Sequence, residues 1–331
     1  MDAGADDPRV GDLSEGAVLR SILERLGSSR AEVGPGDDAA VIPIPDGRVV
    51  ATVDTLVHGP DFRLAWSSAF DLGWKSAAVN LADIAAMGAR PISLLVALAM
   101  PDDTRLSFVE GLADGLRAAC DELAPGCAVE GGDLTVSDTL TVAVTALGSL
   151  EGRRPILRSG ARPGDVVALS GDAGKAARGL EILFAEFRDS AGHPVSVSAE
   201  RVGAEDLEAV AAQLRPRPPV HAGVLAASDG ATAMMDVSDG LALDASRLAD
   251  ASGVTVDFTG AAFGPDIALA LAGGEDHALL ATFPAGTDLR AGFRVIGSVR
   301  PRGADAVTVD GSPFDGRRGW DPYRDWDSGR G

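Results

Sequence analysis

Residues 75–91 read KSAAVNLADIAAMGARP, and this stretch decides the fold. From Ala77 to Met87 the only polar side chains are Asn80 and Asp83. At helical spacing the segment is apolar nearly all round, so it is expected in the interior rather than on a surface. Ser68 to Met87 forms one long Ala-rich helix, stopped by Gly88. Asn80 and Asp83 are three residues apart and share a face with Ser76 and Met87. A lone buried carboxylate is costly unless it is paired or bound to a cation. Lys75, eight residues back, is a poor partner for Asp83 by helical phase. The polar strip therefore marks a ligand site or a salt bridge to a residue elsewhere.

Outward from this helix the pattern alternates. Ser14 can cap a helix with an apolar stripe of Val18, Leu19, Ile22, Leu23 and Leu26. Ala39–Ile44 and Arg48–Leu56 read as strands around the turn Pro45-Asp46-Gly47. Ile92–Ala99 is a strand, Thr104–Leu123 a helix, and Ala128–Glu130 and Thr139–Leu147 are strands. The connection Glu151-Gly152-Arg153-Arg154-Pro155 divides the chain into domains 1–150 and 151–331. In the second, Asp165–Ser170 is a strand and Gly174–Phe187 a helix. Arg188 to Val202 is a loop, followed by a helix near His221–Ser228. A strand at Ala231–Met235, a helix at Leu241–Ala251 and a strand at Val254–Phe258 follow. A strand pair is expected at His277–Phe283 and Arg294–Val299. Mixed elements in both halves give an α/β or α+β class.

The chain has 331 residues and a net charge of −20, which argues against nucleic-acid binding. An acidic protein would also repel bare phosphates unless cations intervene. Its two cysteines form neither a disulfide framework nor a CxxC pair. No apolar run reaches membrane-spanning length, and the start is acidic and polar, unlike a signal peptide. A cytoplasmic setting is expected.

Carboxylates recur beside glycines or at strand ends. They are Gly36-Asp37-Asp38, Val53-Asp54-Thr55, Asp83, Gly131-Gly132-Asp133, Asp236-Val237-Ser238-Asp239-Gly240 and Gly273-Gly274-Glu275-Asp276. Any one of them could be a turn, and Ser238 or Asp239 could cap the helix at Leu241. Together they are oxygen-only donors with no His or Cys set, which suits Mg²⁺ rather than zinc or copper. Several Mg²⁺ ions would let an acidic pocket hold ATP. The segment Gly171-Asp172-Ala173-Gly174-Lys175-Ala176 has the look of a phosphate loop, but it is short and ends in Ala where a hydroxyl is required. The structural reading is the better one for it.

Several of these motifs, in this order, resemble the thiamine-monophosphate kinase family. They are GDDAAV (36–41), TVDTLV (52–57), KSAAVNLADIAAMGARP (75–91), GGD (131–133), RSG (158–160), MDVSDGL (235–241) and AGGED (272–276). The resemblance runs from about Gly36 to Trp320. It implies an aminoimidazole-ribonucleotide-synthetase-like two-domain fold: an N-terminal domain that dimerises through its sheet, and a C-terminal α/β domain. ATP and Mg²⁺ are then expected in the cleft between them, with thiamine monophosphate as acceptor and thiamine diphosphate and ADP as products. The resemblance implies metal ligands at Asp38, Thr52, Asp54, Asp83, Asp133, Asp236 and Asp239. Nucleotide contacts fall on Gly132, Asp133, Arg158 and Ser238, and substrate contacts on Asp61, Glu275 and Trp320. Asp61 stands where the family usually has His, and His277 and Ala278 where it usually has Tyr and Glu. These departures bear on the acceptor side. Selenophosphate synthetases and hydrogenase-maturation relatives of this fold are disfavoured, because Cys120 is the first cysteine and the tail has none. An aminoimidazole-ribonucleotide synthetase and an inactive nucleotide-binding regulator stay open as alternatives.

Overall fold

Ser68 starts the helix on which both halves rest. Its Oγ accepts from the Asp71 N–H (3.1 Å), and the Asp71 carboxylate accepts from the Ser68 N–H (3.0 Å). This reciprocal box satisfies two donors at a helix start. The structure is a computed structural model and describes residues 7–34 and 40–320. Asp38 lies outside those residues.

The first part holds α1 (Glu15–Leu26), β1 (Val50–Val57), α2 (Ala69–Ala86), β2 (Arg90–Met100), α3 (Leu106–Leu123), β3 (Ala128–Val136) and β4 (Thr141–Ser149). Its four strands form one sheet in the order β1-β4-β2-β3, antiparallel except for the β2–β3 pair. The rest supplies β5 (Val166–Ser170), α4 (Lys175–Glu186), α5 (Ala204–Leu214), α6 (Val220–Ser228), β6 (Ala233–Val237) and α7 (Leu241–Ser252). It continues with β7 (Val254–Phe258), α8 (Ile267–Ala272), β8 (Ala278–Phe283), β9 (Arg294–Pro301), β10 (Val307–Val309) and β11 (Ser312–Pro313). These seven strands form a second sheet, β11-β10-β7-β9-β5-β8-β6.

Burial alternates along β1 and β4, as expected of a sheet covered on one face. Val142, Val144 and Ala146 face inward, whereas Val53 is 59% and Val136 74% exposed. Helix α2 lies between this sheet and the second one. Ala77, Ala78, Leu81, Ile84 and Ala85 share a single apolar core with Val142 and Val144 of β4, Ala222 of α6, Met234 of β6 and Leu279 of β8. That position explains why the helix has no polar outer face. The two halves are also stitched together by hydrogen bonds. The Trp74 indole N–H donates to Pro216 O (2.8 Å), and the Trp66 indole N–H to Phe187 O (3.1 Å).

Four sequence expectations need correction. Residues 40–44 form no strand, only an isolated bridge from Val41 to Val33. Strand β3 runs nine residues, so Gly131-Gly132-Asp133 lies in extended chain rather than in a turn. The strands at 278–283 and 294–301 are not partners, because β5 is inserted between them. Helix α5 was not foreseen. It buries only Ala209, Val210 and Gln213, too narrow a stripe to stand out by periodicity.

Helices α2 and α3 cross at glycines. A Cβ on Gly73 would stand 2.0 Å from Leu112 O, and one on Gly115 would stand 2.1 Å from Phe70 O. No side chain fits at either place without moving backbone. Gly115→Ala is therefore expected to lower stability by about 1–3 kcal/mol. Urea denaturation measures it, and an unchanged midpoint would show that the crossing tolerates a methyl group.

Candidate active site

The alternation of β1 turns Thr52 and Asp54 toward α2. Thr52 Oγ1 donates to Asp83 Oδ2 (2.7 Å), and the Asp54 N–H donates to Asn80 Oδ1 (3.1 Å). Asn80 in turn donates to Ser76 O (3.0 Å). The polar strip of α2 thus fixes the register of β1 on the helix and leaves the carboxylates of Asp54 and Asp83 close together. Burial pushes the Asp83 pKa up to about 7, with repulsion from Asp236 and Asp54 adding to it. Burial also raises Asp54, and the charges of Asp236, Glu275 and Asp239 act in the same direction. Asp83 finds no salt-bridge partner among the described residues.

The second half contributes the end of β6 and the loop before β8. Asp236 is 5% exposed, and its Oδ2 lies 3.4 Å from His277 Nδ1. Neither His277 ring nitrogen has an aligned hydrogen-bond partner, although the side chain is buried. Burial opposes charging of His277, but the carboxylates of Asp236 and Glu275 outweigh it and raise its pKa. Glu275 forms an ion pair with Lys75 of α2. Glu275 and His277 both have left-handed backbones, at φ 70° and 50°, a rare conformation for side-chain-bearing residues.

Two helix N-termini are filled by the protein's own carboxylates. Asp276 accepts from the Gly174 N–H (2.6 Å) and the Ala176 N–H (2.7 Å) at the start of α4. This closes the loop that has the look of a phosphate cradle. Lys175 lies 3.7 Å from Asp172 and 3.8 Å from Glu208 instead. Asp244 accepts from the N–H groups of Ser238 (3.1 Å), Asp239 (3.1 Å) and Gly240 (3.2 Å). Its other oxygen accepts from Arg247 (2.7 Å), which also donates to Asp239 (2.6 Å). Burial pushes both Asp244 and Asp276 up to about 6.

Thr52, Asp54, Asp83, Asp236, Asp239 and Glu275 therefore converge where the halves meet. Ser238 joins them through its carbonyl, which accepts from the Glu275 N–H (2.8 Å), and the Trp320 N–H donates to Asp239 O (2.8 Å). Asp61 accepts from the Val57 N–H (2.7 Å) within its own turn. Burial raises its pKa, and Glu275 and Lys75 are its charged neighbours. Gly132 and Asp133 lie elsewhere, on edge strand β3, with β4 and β2 between them and β1. Arg158 is exposed, and its carbonyl accepts from Ser252 at the far end of α7 from Ser238. Among the described residues no three His, Cys, Asp or Glu side chains are placed to hold a metal ion unaided. The donors do fit hard cations: they are oxygens, and repulsion from Asp236 and Asp54 adds to the burial that raises Asp83 to about 7.

Sequence reasoning missed Lys75, Asp244 and Arg247, and it counted Asp276 among the cation-facing carboxylates, whereas Asp276 accepts from the start of α4. Lys75 carried the same signal as Asp83, a charge on an apolar helix, but its partner lies 200 residues away in sequence. Asp244 could have been found as a carboxylate in the first turn of a helix that follows Ser-Asp-Gly.

Comparison with known proteins bears on this site. Residues 36–150 match the family "AIR synthase related protein, N-terminal domain". Thiamine-monophosphate kinase of Mycobacterium tuberculosis H37Rv is 38% identical over 339 residues, covering 98% of this chain and 96% of its own. The crystal structure of thiamine-monophosphate kinase from Stenotrophomonas maltophilia K279a has a TM-score of 0.73 at 31% identity, covering 91% of this chain and 98% of its own. AaThiL complexed with AMPPCP and TMP has a TM-score of 0.72 at 30% identity, covering 94% and 98%.

The raised carboxylates set a pH dependence. Between the ordinary value of 3.8 and about 7 the folded protein keeps a proton on Asp83 that the unfolded chain has lost. The folded state then binds more protons, so stability falls as pH rises through that window. In EDTA the Tm of the protein is expected to drop from pH 4 to pH 7, and Asp83→Asn to flatten part of the drop. A wild-type Tm that rises with pH, or a slope untouched by the substitution, would contradict this.

Proposed function

The chain belongs to the thiamine-monophosphate kinase family and transfers a phosphate group from ATP to thiamine monophosphate, and we propose that it does so on several Mg²⁺ ions held at the joint between its two halves. One observation carries the metal reading. Both backbone cradles beside the joint, at the starts of α4 and α7, already hold carboxylates. A triphosphate approaching Asp54, Asp83 and Asp236 needs cations to be held there at all. The residues that would hold Mg²⁺ at the joint are Thr52, Asp54, Asp83, Asp236 and Asp239; the family resemblance adds Asp38 and Asp133, of which Asp133 stands on edge strand β3, away from the joint within one chain. Bound Mg²⁺ would draw negative charge from the transferring phosphoryl group.

The protein's own groups do the rest by position. Thr52 orients Asp83, Asn80 holds β1 in register, and Arg247 balances Asp239 and Asp244. Ser238 is the proposed nucleotide contact at the joint; the family resemblance adds Gly132, Asp133 and Arg158, which stand away from it within one chain. A Cβ on Gly132 would stand 2.0 Å from Val96 O, so that position admits glycine alone. Asp61, Glu275 and Trp320 are the proposed acceptor contacts. Trp320 is 39% exposed, and its ring, which has the Arg317 guanidinium 5.9 Å from its centroid, would stack on the thiazolium cation. The complex of AaThiL with AMPPCP and TMP supports this assignment of donor and acceptor.

The proposal extends to domains 1–150 and 151–331, to a cytoplasmic enzyme, and to a homodimer formed through the first sheet. The open face of that sheet supports the dimer, since it carries exposed Val53, Ala51 and Ala97 and bare apolar faces tend to be covered. No helix among the described residues is long and apolar enough to cross a membrane.

Thiamine diphosphate formation from ATP and thiamine monophosphate is expected to cease in excess EDTA and to return with Mg²⁺. Full turnover in EDTA would end the metal assignment. Light scattering at micromolar concentration is expected to give about twice 33.7 kDa, and a mass near the single-chain value would remove the dimer.

A further inference from the structure

Lys75 sits in an unusual place for an ammonium group. Its side chain is 5% exposed, and Nζ forms an ion pair with Glu275 and donates to Gln213 O (3.2 Å). The Glu275 side chain is 40% exposed, so the pair is buried at one end and open at the other. The ammonium lines a narrow cleft with Asp61, Trp66 and Gln213. The cleft's volume, about 20 Å³, is room for about one water molecule. A buried ion pair is seldom the most stable way to fill an interior, since apolar side chains of similar size do as well or better. Its presence here points to use. Glu275 is also held in a left-handed conformation, and backbone strain of this kind collects at functional sites.

The acceptor has a matching charge pattern. Thiamine monophosphate carries a fixed positive charge on its thiazolium ring and a phosphate dianion at the end of a short arm. We propose that the Lys75–Glu275 pair is a preformed receptor for this zwitterion: it parts on binding, with Lys75 taking the acceptor phosphate and Glu275 facing the thiazolium cation. Each charge exchanges one partner of opposite sign for another, so the buried Lys75 ammonium is not left uncompensated. The narrowness of the cleft follows from the same arrangement, because the closed pair is its empty state. Lys75 is then the group that separates a phosphorylated acceptor from the free alcohol. This rests on thiamine monophosphate being the acceptor.

Isothermal titration with thiamine monophosphate, thiamine and ATP tests the idea on wild type, K75R, K75M and E275Q. Loss of one charge-assisted contact predicts that K75M weakens thiamine monophosphate by about 10- to 100-fold. Thiamine and ATP should change by less than about twofold, since neither would meet Lys75. K75R should keep most of the affinity, and E275Q should weaken thiamine and thiamine monophosphate alike. Because K75M strands Glu275, the double variant K75M/E275Q serves as the charge-balanced control and should also lose the preference for the phosphorylated ligand. Equal weakening of all three ligands in K75M, or no weakening of thiamine monophosphate in either Lys75→Met background, would overturn the proposal and make the pair structural. Wild type that forms no thiamine diphosphate would overturn the acceptor assignment itself. Normal wild-type turnover with an unchanged preference in K75M would overturn only the role of Lys75.

Discussion

The carboxylate of Asp276, seated on the first turn of α4, is the contact on which the site depends. It accepts two backbone N–H groups at 2.6 and 2.7 Å, so it is held from both oxygens by the partial positive charge of a helix start. Its neighbours are fixed as a result. Glu275 and His277 take left-handed backbones on either side of it. One side chain is sent to Lys75 on α2 and the other to Asp236 on β6. A single internal anchor thereby relates a helix of the first half to a strand of the second. The local strain is sustained because each oxygen of the anchored carboxylate holds a backbone donor.

The same device appears at α7, where Asp244 gathers three backbone donors and an arginine. Backbone cradles of this kind bind phosphates in many nucleotide enzymes. Here they bind the protein itself, and the consequence is electrostatic. Positive potential from the helix ends is spent internally, while Asp54, Asp83, Asp236 and Asp239 face a shared space. In a chain with net charge −20, attraction for a polyanion has to come from mobile cations. Affinity for nucleotide and affinity for divalent ions then become one linked quantity.

Much of this was legible in the sequence where local pattern and burial agree. The helix from Ser68 to Met87 announces itself by its cap, its apolar run and its glycine stop. The suspicion attached to Asp83 follows from the cost of burying a charge. The alternation in β1 puts Thr52 and Asp54 on one face. What sequence could not supply was pairing across distance. Lys75 and Glu275 are far apart in the chain, and helical phase alone left Lys75 without a use. The insertion of β5 between β8 and β9 is likewise a long-range choice that two isolated strand patterns do not encode. Gly131-Gly132-Asp133 misled because glycine beside aspartate usually turns, whereas here close approach of Val96 O demands glycine within a strand. Arg158 belongs to a motif but stands away from the carboxylates, at the other end of α7.

Helix α2 has a further consequence during synthesis. Its partners in the second half come late in the chain: Gln213, which receives Lys75, lies 138 residues after it, and Pro216, which receives Trp74, lies 142 after. At ordinary elongation rates those residues leave the ribosome roughly ten seconds or more after the helix does. Once β4 has emerged, about halfway through that interval, α2 has its first sheet but lacks its second, with one apolar flank and a lysine awaiting their cover. The first half is thus a vectorial intermediate whose exposed side is the future catalytic joint.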